Sequence, residues 1–218
     1  MLYAILAAPI LAGLFFRFGI PQAEIFLCEY FGRTAILSDY YLLFDLLLAT
    51  LTPFMFCFAS AMVMLTEMDE NVVRYIAVTP VGKRGYILSR LLFPAGISVL
   101  VSVLILRVFS LTNLSMAIQL IICILTGILS IAVCLFILSF SHNRVEGMAL
   151  GKLTGMIMLG LPVPFFLLSD MQYAVFFLPS FWIAKLGIEK NLLFAIPAGL
   201  ISALWIWLLY GRFKRRIL

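Results

Sequence analysis

The chain reads as long apolar blocks separated by short polar ones. Blocks at 2–20, 40–66, 87–109, 114–140, 153–169 and 191–211 match the length that crosses a hydrocarbon core, about 20 helical residues. Runs such as Leu42-Leu43-Phe44 and Ile121-Ile122-Cys123-Ile124 are apolar on every side, whereas membrane β-barrel strands alternate apolar and polar positions. The pattern therefore predicts an all-α, polytopic, six-transmembrane-helix bundle, with residues 1–218 forming a single transmembrane domain. A seventh apolar stretch, 171–188, is interrupted by Pro179 and Lys185. It is expected to dip into the membrane without crossing, because a crossing would carry the basic tail outside. The segment 21–39 is mixed and leaves room for a short surface helix, and the connection Ser110–Asn113 is tight.

Composition removes the soluble alternative. Hydrophobic residues make up 65% of the chain and charged residues 11%, against about 45–50% and about 25% in soluble domains. The excess apolar surface has to face lipid. The net charge of +5 is sorted rather than spread. Arg74, Lys83, Arg84, Arg90, Arg144, Lys152, Arg212, Lys214, Arg215 and Arg216 supply ten of the fifteen basic residues. With six spans they fall on one face, so the positive-inside rule makes that face, and both termini, cytoplasmic. No nucleic-acid partner is needed to explain the charge.

Four cysteines, Cys28, Cys57, Cys123 and Cys134, have neither disulfide-framework nor metal-ligand spacing. They read as small packing residues. No removable signal peptide is expected, since the start lacks a basic n-region. Six prolines (Pro9, Pro53, Pro94, Pro162, Pro164, Pro197) fall within spans, tolerable where neighbours satisfy the freed carbonyls.

The most informative polar stretch runs from Thr66 to Tyr86. Glu67, Asp69 and Glu70 precede Val72, Val73 and Ile76 at helical spacing. This predicts a short helix over 67–79 with acids at its N-terminus and an apolar stripe, closed at Val78-Thr79-Pro80. From the residues alone, that helix suits a lipid interface or a cytoplasmic partner about equally.

Three fragments carry a resemblance. The first is Glu67-x-Asp69, Tyr75-x-x-Val78-Thr79-Pro80-Val81 and Arg84-x-x-x-x-x-Arg90-Leu91. The second is Asn143-Arg144-Val145-Glu146-Gly147-x-Ala149-x-x-Lys152 followed by Pro162 and Pro164, and the third is Leu178-Pro179-Ser180-Phe181-Trp182. In this order on a six-span frame, they resemble the ABC type 2 transporter permease family, in its bacterial drug- and bacteriocin-export branch. The resemblance implies the membrane subunit of an ATP-driven exporter in the bacterial cell membrane. It also implies pairing with a second permease, alike or different, and docking on a separate cytoplasmic ABC ATPase. ATP and magnesium would then bind that partner, with no cofactor and no catalytic residue on this chain.

The residues implied in coupling to the ATPase are Glu67, Asp69, Val73, Ile76, Thr79 and Pro80, with Glu146 and Gly147 in a second cytoplasmic loop. Glu67 and Asp69 would cap or position the coupling helix, and Arg90 would anchor the return into lipid. Such permeases begin with a basic elbow helix, whereas Met1-Leu2-Tyr3 opens directly into apolar sequence. Either the chain is shortened or its branch lacks the elbow.

Gly147-x-x-x-Gly151-Lys152 is not a phosphate loop, because it has three intervening residues where four are required and Leu153 in place of Ser or Thr. Gly147, Gly151 and Gly155 instead form a packing ladder at spacing four. Asp45 is a candidate polar lining residue or ion-pair partner inside its span. His142 reads as a solvated loop residue. The rival function is a non-catalytic membrane immunity or assembly protein. A secondary carrier is disfavoured by the scarcity of buried charge and the lack of an inverted repeat. The substrate is left open among drug-like molecules, lipids and peptides.

Overall fold

The computed structural model describes residues 2–72, 75, 82–167 and 169–217, and every regular element among them is helical. Among the described residues, six helical stretches are long and apolar enough to cross a membrane, as the block pattern predicts.

Helix α1 (Leu2–Leu14) passes through a π turn (Phe15–Gly19) into α2 (Ile20–Phe31). The first apolar stretch is thus longer than the 2–20 expected, and most of the mixed segment 21–39 extends the same rod. Pro21 does not break it. The backbone is already widened there by the bond from Ile20 N–H to Phe15 O, five residues back, and proline at a helix's first turn forfeits no intrahelical bond. The rod ends at Gly32, whose φ of 63° lies in the left-handed region natural to glycine. Glu24 then secures the following turn, its carboxylate accepting from Ile36 N–H at 2.9 Å and Leu37 N–H at 2.5 Å.

Helix α3 (Tyr41–Asp69), α4 (Gly82–Phe109) and α5 (Met116–Phe140) form the centre of the bundle. Their packed faces are lined by Leu46, Leu48, Ala61, Met64, Leu65, Leu106, Ile122, Val133 and Leu138, all essentially inaccessible. Cys57, Cys123 and Cys134 are unpaired and lie in this core, which fits the packing role.

Two interior prolines tie α3 to α4. Proline donates no hydrogen bond, so Pro53 frees the carbonyl of Ala49 and Pro94 that of Arg90. Each freed carbonyl is taken by a serine of the opposite helix: Ser102 donates to Ala49 O at 3.0 Å, and Ser60 donates to Arg90 O at 2.5 Å. No buried side-chain polar atom among the described residues lacks a partner, as a lipid-embedded bundle requires.

Helix α6 (Arg144–Thr154) leads into a 3-10 stretch, Gly155–Gly160, and the single turn α7 (Val163–Phe166). The fifth span accordingly begins at Arg144, and the expected loop 141–152 shrinks to the three residues before it. Helix α8 (Pro179–Glu189) has 11 residues, about 16 Å of rise, too little for a hydrocarbon core of about 30 Å. Eight of those residues are buried, so the segment is packed inside the bundle rather than laid on its surface.

Pro179 is the first residue of α8 rather than a break within it. Lys185 is buried beside the Tyr173 hydroxyl, 3.6 Å from Glu189 Oε1, with the Tyr173 and Phe194 rings at 4.3 and 5.3 Å. A charge that looked like an obstacle to burial is thus compensated within its own loop. Gly160 abuts the start of α8, where an added Cβ would lie 2.8 Å from Phe181 N. Helix α9 (Ala195–Ile217) closes the bundle against α5 and α8.

Candidate coupling site

At the end of the bundle that carries the basic residues, α3, α4 and α6 converge. Glu67 and Asp69 lie here, but in the last turn of α3 rather than at the start of a separate helix. That corrects the expectation of acids opening a coupling helix. The apolar run of α3 simply continues through Met68, and the helix is capped at Glu70 and Asn71. Glu70 N–H donates to Thr66 O at 3.0 Å, Asn71 N–H donates to Met68 O at 3.2 Å, and Asn71 adopts φ 58°.

Carboxylates at a helix C-terminus oppose its dipole, so they need compensation from elsewhere. Glu67 receives it from α4: the Arg90 guanidinium and the Tyr86 hydroxyl both donate to its carboxylate. Residues 86 and 90 are one turn apart and share a face of α4, with the guanidinium 6.0 Å from the Tyr86 ring centre. Asp69 receives it from α6, where Arg144 N–H donates to Oδ2 at 3.2 Å.

The N-terminus of α6 is capped by its own polar side chains. Asn143 Oδ1 accepts from Glu146 N–H at 2.9 Å, and Glu146 Oε2 accepts from His142 N–H at 2.6 Å. This is close to a capping box, and it places His142 as a backbone donor in a capped turn. Gly147 follows, packed so tightly on α3 that an added Cβ would lie 2.3 Å from Leu65 Cδ1. One turn on, the same test at Gly151 gives 2.3 Å to Phe58 Cε2, whereas Gly155 meets nothing within 4 Å. The packing ladder therefore has two rungs, and Gly155 instead opens the 3-10 stretch.

Glu67 and Asp69 of α3 are thus brought close to Glu146 and Gly147 of α6. Val73, Ile76, Thr79 and Pro80 lie outside the described residues. Within that stretch Val72 and Tyr75 are helical, Tyr75 is 74% exposed, and Gly82 resumes the chain at φ 60°. Asp45 lies at the opposite end of α3, about 33 Å of helical rise from Glu67. It is 2% exposed and staples the α4–α5 turn, accepting from Leu111 N–H and Thr112 N–H at 2.8 Å each and from Thr112 Oγ1 at 2.5 Å. Arg17 reaches the same turn, donating to Ser110 O at 2.8 Å.

Tyr86 is the site residue that sequence reading passed over. Its signal was the one-turn spacing to Arg90, which becomes meaningful only once Glu67 is known to face it.

The Glu67–Arg90 ion pair thus links α3 to α4, and the hydrogen bond from Arg144 N–H to Asp69 links α3 to α6. Two fluoroquinolones export permease proteins of Mycobacterium tuberculosis, from strains CDC 1551 / Oshkosh and ATCC 25618 / H37Rv, are each 25% identical over 99 residues. The match takes in 43% of this chain and 39% of the relatives, so it spans about two fifths of their length. No solved structure matches the chain. Six apolar spans and the fragments flanking these contacts agree with an export permease, and the family described as fluoroquinolones export permease protein Rv2686c-like matches residues 1–210: the chain belongs to that family.

Proposed function

We propose that this chain is the membrane subunit of an ATP-driven ABC exporter, with the segment between α3 and α4 docking on a separate cytoplasmic ATPase. The observation that carries the reading is the Glu67–Arg90–Tyr86 cluster together with the Asp69–Arg144 contact. It fixes both ends of that segment to three helices, so force applied to the segment is delivered to the spans rather than lost in a slack loop. Val73, Ile76, Thr79 and Pro80 supply the contact surface, and ATP and its magnesium bind the partner. A second permease completes the pathway, and both termini are cytoplasmic. The substrate class favoured by the relatives' name is an amphiphilic drug.

The test is co-purification of the cognate ATPase with wild-type and Ile76→Glu permease, both confirmed as membrane-inserted and monodisperse. A charge placed in a desolvated contact costs a few kcal/mol, about a hundredfold or more in retention. Equal recovery and equal drug efflux from the two would remove the reading and leave a non-catalytic assembly role in its place.

A further inference from the structure

We infer that a groove between α1, α3 and α4 is a binding site for an anionic phospholipid of the cytoplasmic leaflet, with the lipid phosphate on Arg90. The groove has a volume of about 540 Å³, and its walls include Leu6, Phe56, Val63, Phe93 and Ile97. Its lining is apolar apart from Ser60, Ser89 and Arg90, so one cation stands at the head of an apolar channel.

Three observations select this occupant. The first is depth. The α4 wall runs from Ser89 to Val101, about 18 Å of helical rise, close to half of a hydrocarbon core of about 30 Å. The groove thus serves one leaflet. The second is access. Phe93, Leu88 and Leu92 are 70%, 53% and 54% exposed, so the site opens toward lipid and not toward an aqueous vestibule.

The third is charge. The Arg90 side chain is 43% exposed while that of Glu67 is 16% exposed and turned inward. Only Nη2 of the guanidinium is engaged by Glu67, and among the described residues no other carboxylate pairs with it. The Arg90 side chain lines the groove, and Lys83 and Arg84 precede it in α4 by about two turns. Basic pockets between helices on the cytoplasmic side select anionic headgroups. The site stands whether or not the segment beyond Asn71 docks on an ATPase.

The experiment is native mass spectrometry of the full chain in detergent, titrated with phosphatidylglycerol or with phosphatidylcholine of the same chains. Wild type should retain phosphatidylglycerol at least about fivefold better, the factor expected of one basic residue near an anionic leaflet. Glu67→Gln should widen the preference by freeing the guanidinium, and the double variant Glu67→Gln/Arg90→Gln should abolish it without stranding a carboxylate. Ala59→Phe, which fills the groove and leaves every charge in place, should lower retention of both lipids. If wild type holds the two lipids equally, or if Ala59→Phe retains phosphatidylglycerol as wild type does, the inference is overturned. The Ala59→Phe arm decides the matter even if the charge variants fail to fold.

Discussion

Ser60 and Pro94 should be energetically coupled although they sit on different helices. Pro94 leaves the Arg90 carbonyl without an intrahelical donor, and the Ser60 hydroxyl supplies one at 2.5 Å. Ser60→Ala removes that donor in a setting with little water. An orphaned buried carbonyl costs about 1–3 kcal/mol, although interhelical hydrogen bonds in membranes average only about 0.6 kcal/mol with a maximum of about 1.7. We expect Ser60→Ala to destabilise by about 1–1.5 kcal/mol. In a Pro94→Ala background the residue at 94 regains its N–H and bonds Arg90 O within α4, so the same substitution should cost under about 0.5 kcal/mol. The assay is reversible unfolding in mixed micelles titrated with a denaturing detergent and followed by far-ultraviolet circular dichroism. Equal costs for Ser60→Ala in the two backgrounds would refute the claim that the serine exists to serve the proline. Ser102 and Pro53 repeat the geometry, but Ser102 also lies 3.5 Å from Cys123 Sγ, which makes Ser60 the cleaner case.

Three further outcomes are expected. Asp45→Ala should destabilise by about 2–3 kcal/mol, the loss of several charge-assisted hydrogen bonds to a buried turn, with Asp45→Asn intermediate; an unfolding midpoint unchanged in Asp45→Ala would contradict the staple role. Gly147→Ala should cost about 1–3 kcal/mol by overpacking against Leu65, whereas Gly155→Ala, facing open space, should cost nothing measurable in the same assay, and the reverse order would disprove the contact. Single cysteines at Lys83, Arg144 and Lys214, in a background lacking native cysteines, should resist an impermeant thiol reagent in intact cells, and labelling of any one from outside would overturn the orientation.

The fold was legible wherever apolar length decided it. Six blocks longer than a loop and uniformly apolar can only be spans, and the structure has them. What the blocks did not locate were the helix ends, because lipid-crossing hydrophobicity and helix continuity are different signals. Glu67 and Asp69 looked like a helix start because acids favour that position locally. They end α3 instead because Arg90, Tyr86 and the Arg144 N–H compensate them, and those partners lie 23, 19 and 75 residues away in sequence. Asp45 was singled out correctly as an unusual charge. Its partner set, two backbone N–H groups and the Thr112 hydroxyl of a turn, leaves no trace in composition, so a lining role and a stapling role read alike. Lys185 was likewise visible only as an interruption, since its aromatic neighbours, Tyr173 and Phe194, come from the segments on either side of α8.

The four ties between α3 and the α4 region sit at different depths, and that spacing determines what each one does. Glu67 meets Arg90 and Tyr86 at one end, Ser60 meets Arg90 O a little deeper, Ser102 meets Ala49 O deeper still, and Asp45 holds the turn at 111–112 at the far end. A joint with ties at both ends and in between resists both sliding and splaying, so loss of one tie lowers stability without releasing the pair. That is why a single serine substitution should register as about a kcal/mol and not as unfolding. By contrast, the stretch from Gly155 to Gly160 is held across the bundle by the bond from Ser180 Oγ to Ile157 O at 2.5 Å and by the backbone contact at Gly160. The pair α3–α4 is therefore tied along its whole length, from Glu67 and Arg90 at one end to Asp45 and the turn at 111–112 at the other.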